Sequence, residues 1–183
     1  YLRFSVTDRC DLRCRYCMPQ KMKFTQKEDS LSVKEMKIIS KIFFDLGFKK
    51  IRITGGEPLI RRDILDFLSF LNSKLKSKLI SEISLTTNGT MLSKYAKQIH
   101  QNGIKRINVS LDSLIPEKYF FITNGGNLKK VLDGIFDVKS TGIKVKINTV
   151  LLKDFNEDEL IQFVEWCSKN KFDISFIEVM PIG

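Results

Sequence analysis

An α/β fold, a partial (β/α)6 TIM-like barrel with parallel strands, is predicted by three features of this sequence. Short β-rich runs alternate with longer amphipathic stretches along the whole chain, the pattern of βαβ units around a parallel sheet. The 183 residues fall short of the roughly 250 that a full (β/α)8 barrel takes, and six units fit them. The strands also alternate apolar and polar side chains, whereas strands of a parallel sheet covered on both faces run almost continuously apolar. One face of this sheet is therefore expected to be wet.

The strands read as 2–7, 50–54, 82–86, 105–110, 143–149 and 173–179, and the helices as 33–46, 62–74, 92–101, 128–140 and 157–168. Ser32, with Glu35 three residues on, forms a capping box ahead of the first helix. The glycines ending "QNG" (101–103) and "STG" (140–142) stop two others. Pro116 opens a short extra helix. One strand parity is apolar: Leu2, Phe4 and Val6; Ile51 and Ile53; Ile83 and Leu85; Ile107 and Val109; Val145 and Ile147. The other carries Arg3, Ser5 and Thr7; Arg52 and Thr54; Ser84 and Thr86; Asn108 and Ser110; Lys146 and Asn148. In the sixth strand Glu178 and Met180 share a face, with Ile174 and Phe176 deeper. With helices on the apolar face, the polar residues line the concave side, where a dry core would make them costly. Three cations (Arg3, Arg52, Lys146) and one carboxylate (Glu178) in that lumen suit an anionic ligand. An antiparallel sheet with a wet outer face would show the same parity, but the intervening helices oppose it.

Residues 1–183 read as one domain, with no repeat beyond the βα unit and no linker or low-complexity tract. No run of about eighteen apolar residues would span a membrane, and no charged-then-apolar leader is expected. Tyr1 stands inside a strand where Met would begin a complete chain, so a piece of a longer protein is expected. The balance of 31 basic to 21 acidic residues gives +10. A basic stripe interleaved with aromatics is missing, which argues against nucleic acid as a partner.

Chemistry concentrates at the C-terminal ends of the strands, where βα folds hold their ligands. The first strand runs into "VTDRCDLRCRYCMP" (6–19), the second into "GGEP" (55–58), the third into "TNGT" (87–90), the fourth into "SLDS" (110–113) and the sixth into "EVMPIG" (178–183). Three of the four cysteines, Cys10, Cys14 and Cys17, fall in the first of these. A secreted disulfide framework would spread its cysteines, so a reducing compartment is expected. Three close thiolates repel and need a cation to share. Zinc in a closed structural site takes four ligands, and the fourth here would be Cys167, His100 or a carboxylate, all read as lying on helices. A four-iron cluster with three cysteine ligands fits better, leaving one iron open, and Arg9, Arg13 and Arg15 would offset its negative charge.

The C-x3-C-x2-C spacing after a first strand, with Tyr16 before the last cysteine, followed by "GGEP", resembles the radical S-adenosylmethionine enzymes. That resemblance implies a [4Fe-4S] cluster on Cys10, Cys14 and Cys17, with S-adenosyl-L-methionine on the fourth iron as source of a 5′-deoxyadenosyl radical. "LRFSVTDRCDLRCRYCMP", "KKIRITGGEPLIRRD", "LTTNGTML", "RINVSLDSL", "VKINTV" and "FIEVMPIG" further resemble the GTP 3′,8-cyclase family, lyases that begin molybdenum cofactor biosynthesis, over essentially the whole chain. In that family's pattern Arg3, Arg52, Thr86 and Lys146 would hold GTP, and Tyr16, Gly56, Ser110 and Met180 would contact S-adenosyl-L-methionine. An external electron donor is implied, and a homodimer is left open. The compartment implied is the bacterial cytoplasm, or the mitochondrion in a eukaryote. A second cysteine triad of the family, in a C-terminal region, has no counterpart here, so this chain alone is expected to turn over GTP poorly or not at all.

Two other readings are distinct. Another radical enzyme of the same class, peptide-modifying or deazaguanine-forming, would share the cysteine loop and "GGEP" but not the "KINTV" and "IEVMPIG" segments. A zinc-stabilised binding module would be colourless and would not cleave the cofactor. Cys167, beside Trp166 on an amphipathic helix, is read as core and His100 as an exposed helix residue. Glu57 and Asp112 fall on the rim with no proton-transfer role assigned, and Asp8 is expected to pair with Arg9.

Overall fold

The computed structural model describes residues 1–18, 21–26 and 28–179. Six parallel strands form one sheet in sequential order: β1 (Leu2–Ser5), β2 (Lys50–Thr54), β3 (Glu82–Thr87), β4 (Arg106–Ser110), β5 (Lys144–Leu151) and β6 (Asp173–Glu178). Between them lie α1 (Val33–Asp45), α2 (Ile64–Lys76), α3 (Leu92–Gln101), α4 (Pro116–Thr123), α5 (Leu128–Ser140) and α6 (Leu160–Asn170), with short 3-10 turns at Pro58–Ile60 and Glu157–Glu159. The order decides the architecture. A doubly wound sheet reverses its strand order at a switch point, and this one does not. Right-handed crossovers that never reverse put all helices on one face, so the sheet curls with its other face open, as a partial TIM-like barrel.

The apolar parity makes the core. Ile51, Ile53, Leu85, Ile107, Val109 and Ile147 are fully buried in one cluster with Leu68, Leu71, Ile99, Ile135, Val138 and Phe163 from the helices. Each such side chain contributes about 1.5–3 kcal/mol by leaving water. Local signals act as expected. The Glu35 N–H donates to Ser32 Oγ, and the Ser32 N–H donates back to the Glu35 carboxylate at 2.8 Å. Gly103 and Gly142 end α3 and α5 at φ of +78° and +87°. Two helices begin later than expected. The 3-10 turn at 58–60 and the Arg61–Asp63 ion pair (2.6 Å) take up the residues before α2, and the turn at 157–159 precedes α6. No helix among the described residues is long and apolar enough to cross a membrane.

Parallel pairing lines up alternate residues in rows across the concave face. Arg3, Arg52, Ser84, Arg106 and Lys144 share one row. Thr86, Asn108, Lys146 and Asp173 share the next, and Ser110, Asn148 and Ser175 the third, nearest the rim. The sixth strand corrects the expected parity. Glu178 pairs with Leu151, in phase with Ile174 and Phe176, and Phe176 meets Phe163 of α6 edge-on at 6.5 Å. Glu178 therefore belongs to the helix-facing parity, not the lumen. The concave carboxylates are Asp173, opposite Lys146, and Glu82, which pairs with Lys50 (3.3 Å) and Arg106 (3.1 Å).

Candidate active site

The cysteine loop is held at both ends by backbone. Past β1 the chain stays in register with the end of β2: the Val6 N–H donates to Thr54 O (2.9 Å), the Gly56 N–H to Thr7 O (2.6 Å) and the Glu57 N–H to Arg9 O (2.8 Å). This contact explains the double glycine. A Cβ on Gly55 would lie 2.6 Å from Thr7 O, and one on Gly56 would collide with the Arg9 carbonyl. At the far end the Arg13 and Arg15 N–H groups donate to Thr123 O (3.1 Å) and Ile122 O (2.9 Å), at the end of α4. The Arg15 guanidinium stacks 3.8 Å above the Phe121 ring and donates to its carbonyl. Arg13 donates to Cys10 O and Leu12 O, and Arg9 and Arg13 lie over the Phe24 ring. The arginines thus hold the loop's shape first, and their charge is a consequence of that placement.

Cys10 and Cys14 are half-buried, Cys17 is exposed, and none is in a disulfide. Cys10 Sγ accepts from the Leu12 N–H (3.4 Å) and the Asn88 amide (3.6 Å). Burial pushes the Cys10 thiol up; burial, then Asp112 and the neighbouring thiols, push Cys14 up to about 12. Cys10 and Cys14, whose burial disfavours the bare thiolate, and the exposed Cys17 are soft donors that suit an iron–sulfur group, whose irons would offset that penalty. The fourth ligands considered for zinc are elsewhere. Cys167 is buried in the core, and His100 lines a cavity of about 570 Å³ at the N-terminal ends of β3 to β5. Among the described residues no three His, Cys, Asp or Glu side chains, those of the loop cysteines included, are grouped to hold one metal ion, so it is the spacing and type of the cysteines that suit a cluster.

Carboxylates brace the rim. Glu57 is fully buried and accepts from the Leu59 N–H (2.9 Å), Thr87 Oγ1 (2.8 Å) and the Asn88 N–H (2.6 Å). Burial outweighs those donors and pushes it up to about 7. Asp112, also buried, accepts from the Tyr16 hydroxyl (2.7 Å) and the Val150 N–H (2.8 Å), and burial raises its pKa. Asp11 accepts from the Asn88 amide (2.7 Å) and Thr90 Oγ1 (2.6 Å). The expected Asp8–Arg9 pair is replaced, since Asp8 takes the Thr25 N–H at 2.6 Å. The roles of Asp11 and Asp112 escaped the sequence reading, although the polar "TNGT" and "SLDS" loops were the signal that something at the rim had to accept their donors.

On the open face the expected residues fall in layers. Arg3 and Arg52 share the row farthest from the rim, Thr86 and Lys146 the next, and Ser110 the third. Gly56 lies at the rim against the loop, with Tyr16 anchored to Asp112. Met180 lies outside the described residues. Among those described, Arg3, Arg52, Lys144 and Lys146 enter no ion pair, whereas Arg106 and Lys50 share Glu82. Arg52 Nε is buried without a hydrogen-bond partner, its guanidinium over the Tyr1 ring. Asn108 Oδ1 is buried without a partner too.

Residues 4–167 match the profile of the Radical SAM superfamily. The chain belongs to that superfamily. Membership brings the [4Fe-4S] cluster and S-adenosyl-L-methionine as its cofactors, and the donor set of the loop fits them. Among curated relatives, the "GTP 3′,8-cyclase" of Paracoccus denitrificans (strain Pd 1222) is 49% identical over all of this chain and 53% of its own length. Those of Bradyrhizobium diazoefficiens and Brucella ovis are 49% and 46% identical over the same shares. The chain thus spans about half the length of the relatives it matches. Among solved structures, Streptococcus suis SuiB bound to S-adenosylmethionine superposes with a TM-score of 0.82 at 22% identity, covering 99% of this chain and 41% of SuiB. The enzyme anSMEcpe with bound AdoMet gives 0.79 at 20% identity, covering 98% and 49%. At such identities the likeness is one of fold, that of radical SAM barrels.

Proposed function

We propose that residues 1–183 form the radical-generating domain of a GTP 3′,8-cyclase, which converts GTP to 3′,8-cyclo-7,8-dihydro-GTP at the start of molybdenum cofactor biosynthesis. The observation that carries this reading is the open face of the sheet. Four cations without ion-pair partners among the described residues, one with a buried orphaned Nε, lie on the concave face one or two rows below the rim that carries the cysteine loop. That is a site for a polyanion beneath a cofactor, and the 49% identity to cyclases over the whole chain supports naming the polyanion as GTP. The peptide-modifying reading has only fold-level likeness behind it, to SuiB bound to its precursor peptide SuiA at 22% identity.

In this reading Cys10, Cys14 and Cys17 hold the cluster, and Tyr16, Gly56 and Ser110 contact the cofactor, together with Met180. When bound, the two cofactors supply a 5′-deoxyadenosyl radical that takes a hydrogen atom from the substrate. The protein's work is placement. Arg3, Arg52 and Lys146 draw the triphosphate into the concave face, where the neighbouring low-dielectric sheet strengthens the attraction. Thr86 hydrogen-bonds the nucleotide from β3. The loop, pinned by the β2 rim and the end of α4, fixes the height of the cofactor above it. An external electron donor completes the system.

The test is anaerobic. The intact natural protein is loaded with iron and sulfide, reduced with dithionite and followed by EPR as S-adenosylmethionine and then GTP are added. The expected result is a reduced-cluster signal that changes with the cofactor, followed by GTP-dependent 5′-deoxyadenosine. A colourless protein without a signal would sink the radical chemistry. A signal with cofactor cleavage but no response to GTP would sink the substrate.

A further inference from the structure

The middle row of the concave face holds one polar group that the reading above leaves unused. Asn108 is 4% exposed, and its Oδ1 has no hydrogen-bond partner. An acceptor buried unsatisfied is destabilising, and almost all such groups in folded proteins have a partner. Register places Asn108 between Thr86 of β3 and Lys146 of β5. The row with Arg52, Ser84 and Arg106 lies about 6.6 Å below, and the row with Ser110 and Asn148 about 6.6 Å above.

We propose that Asn108 Oδ1 accepts a hydrogen bond from a ribose hydroxyl of the bound nucleotide. This rests on GTP being the ligand of the concave face. Phosphate oxygens are acceptors, so a carbonyl oxygen among these cations does not serve them. The part of the nucleotide joined to the phosphates is the ribose. With the phosphates drawn to the lower row and to Lys146, the sugar lies at the level of Asn108, below the cofactor row where its hydrogen must be taken. The half-buried Lys146 side chain forms no ion pair among the described residues. Asn108 thereby distinguishes a nucleotide with an intact ribose from an equally charged one without it.

The experiment is a cycle of two changes on the intact natural protein, loaded anaerobically with cluster and S-adenosylmethionine. Dissociation constants for GTP, 2′-deoxyGTP and 3′-deoxyGTP are measured by equilibrium dialysis for the parent and for Asn108→Leu, which keeps the shape and removes the acceptor. GTP binding should weaken about tenfold in the variant. One deoxynucleotide should bind the parent about tenfold more weakly than GTP and show no further loss in the variant. Asn108→Asp keeps an acceptor, should preserve discrimination against that deoxynucleotide, and carries the test if the leucine variant fails to fold. Iron content and cofactor binding should stay at parental values in both. Unchanged GTP binding in Asn108→Leu would overturn the proposal. So would equal losses for all three nucleotides, which would mean that the amide presents its NH2 to phosphate or only supports the sheet. A parent that binds none of the three would sink the GTP reading itself, a different result from either.

Discussion

The rim and the open face carry similar numbers of polar groups and treat them in opposite ways. At the rim nearly every donor meets an acceptor within the protein. Glu57 and Asp11 take three donors each and Asp112 two, and the arginines are bonded to carbonyls or stacked on rings. One row or two into the sheet, Arg3, Arg52 and Lys146 have no ion-pair partner among the described residues, and Arg52 and Asn108 each bury an unpartnered atom. Rim groups that satisfy one another make a stiff frame for a cofactor. Face groups left unsatisfied suit the anionic ligand proposed above. Substitutions at the rim should therefore be felt in cluster assembly and stability, and substitutions on the face in ligand affinity alone.

The sharpest break is Cys14→Ala. Removing one of three thiolates should abolish the cluster and cofactor cleavage, read as lost iron and a lost EPR signal; full iron occupancy would refute the ligand assignment. Gly56→Ala comes next. Its Cβ would collide with the Arg9 carbonyl, so the loop must shift, at about 3 kcal/mol of stability with reduced iron uptake. An unchanged melting temperature would show that the β2 rim does not grip the loop. Lys146→Ala probes the other region. It should weaken GTP binding about a hundredfold by deleting a partly desolvated charge opposite phosphate, leaving iron content and stability (within about 0.5 kcal/mol) as in the parent. Calorimetric GTP affinity equal to the parent's would contradict the lumen assignment.

The sequence revealed the frame better than its bracing. Six strands, their polar parity and the caps at Ser32, Gly103 and Gly142 follow from local patterning, which is why they were legible. The phase of β6 was not, because Glu178 beside Met180 looks like a lumen pair until the Leu151–Glu178 register is known. The three cysteines were legible from spacing, whereas the Tyr16–Asp112 bond joins residues 96 positions apart, a separation that no window reads. Glu57 shows the limit most clearly. "GGEP" placed a carboxylate at the rim without a role, and only the approach of Thr87 at the end of β3 and of Asn88 just beyond it makes it a buried brace.

That brace gives the mildest test of the comparison. In Glu57→Gln the Oε1 position keeps its donors from Leu59 and Thr87, but the new NH2 faces the Asn88 N–H, two donors with no acceptor. The expected loss is about 1–2 kcal/mol of stability, read by urea unfolding, with GTP affinity of the loaded protein unchanged. The pH dependence has a definite sign. With its folded value raised to about 7 from an ordinary value of about 4.3, the carboxyl binds its proton more tightly folded than unfolded. Its contribution is complete below about pH 4.3 and is lost as pH rises through about 7, with a slope of at most about 1.4 kcal/mol per pH unit. The parent's advantage over the variant should therefore shrink across that window. An advantage that grows with pH would mean that the three donors outweigh burial and hold Glu57 as an anion. The rim would then store charge as the open face does, and satisfaction of polar groups would no longer separate the two regions.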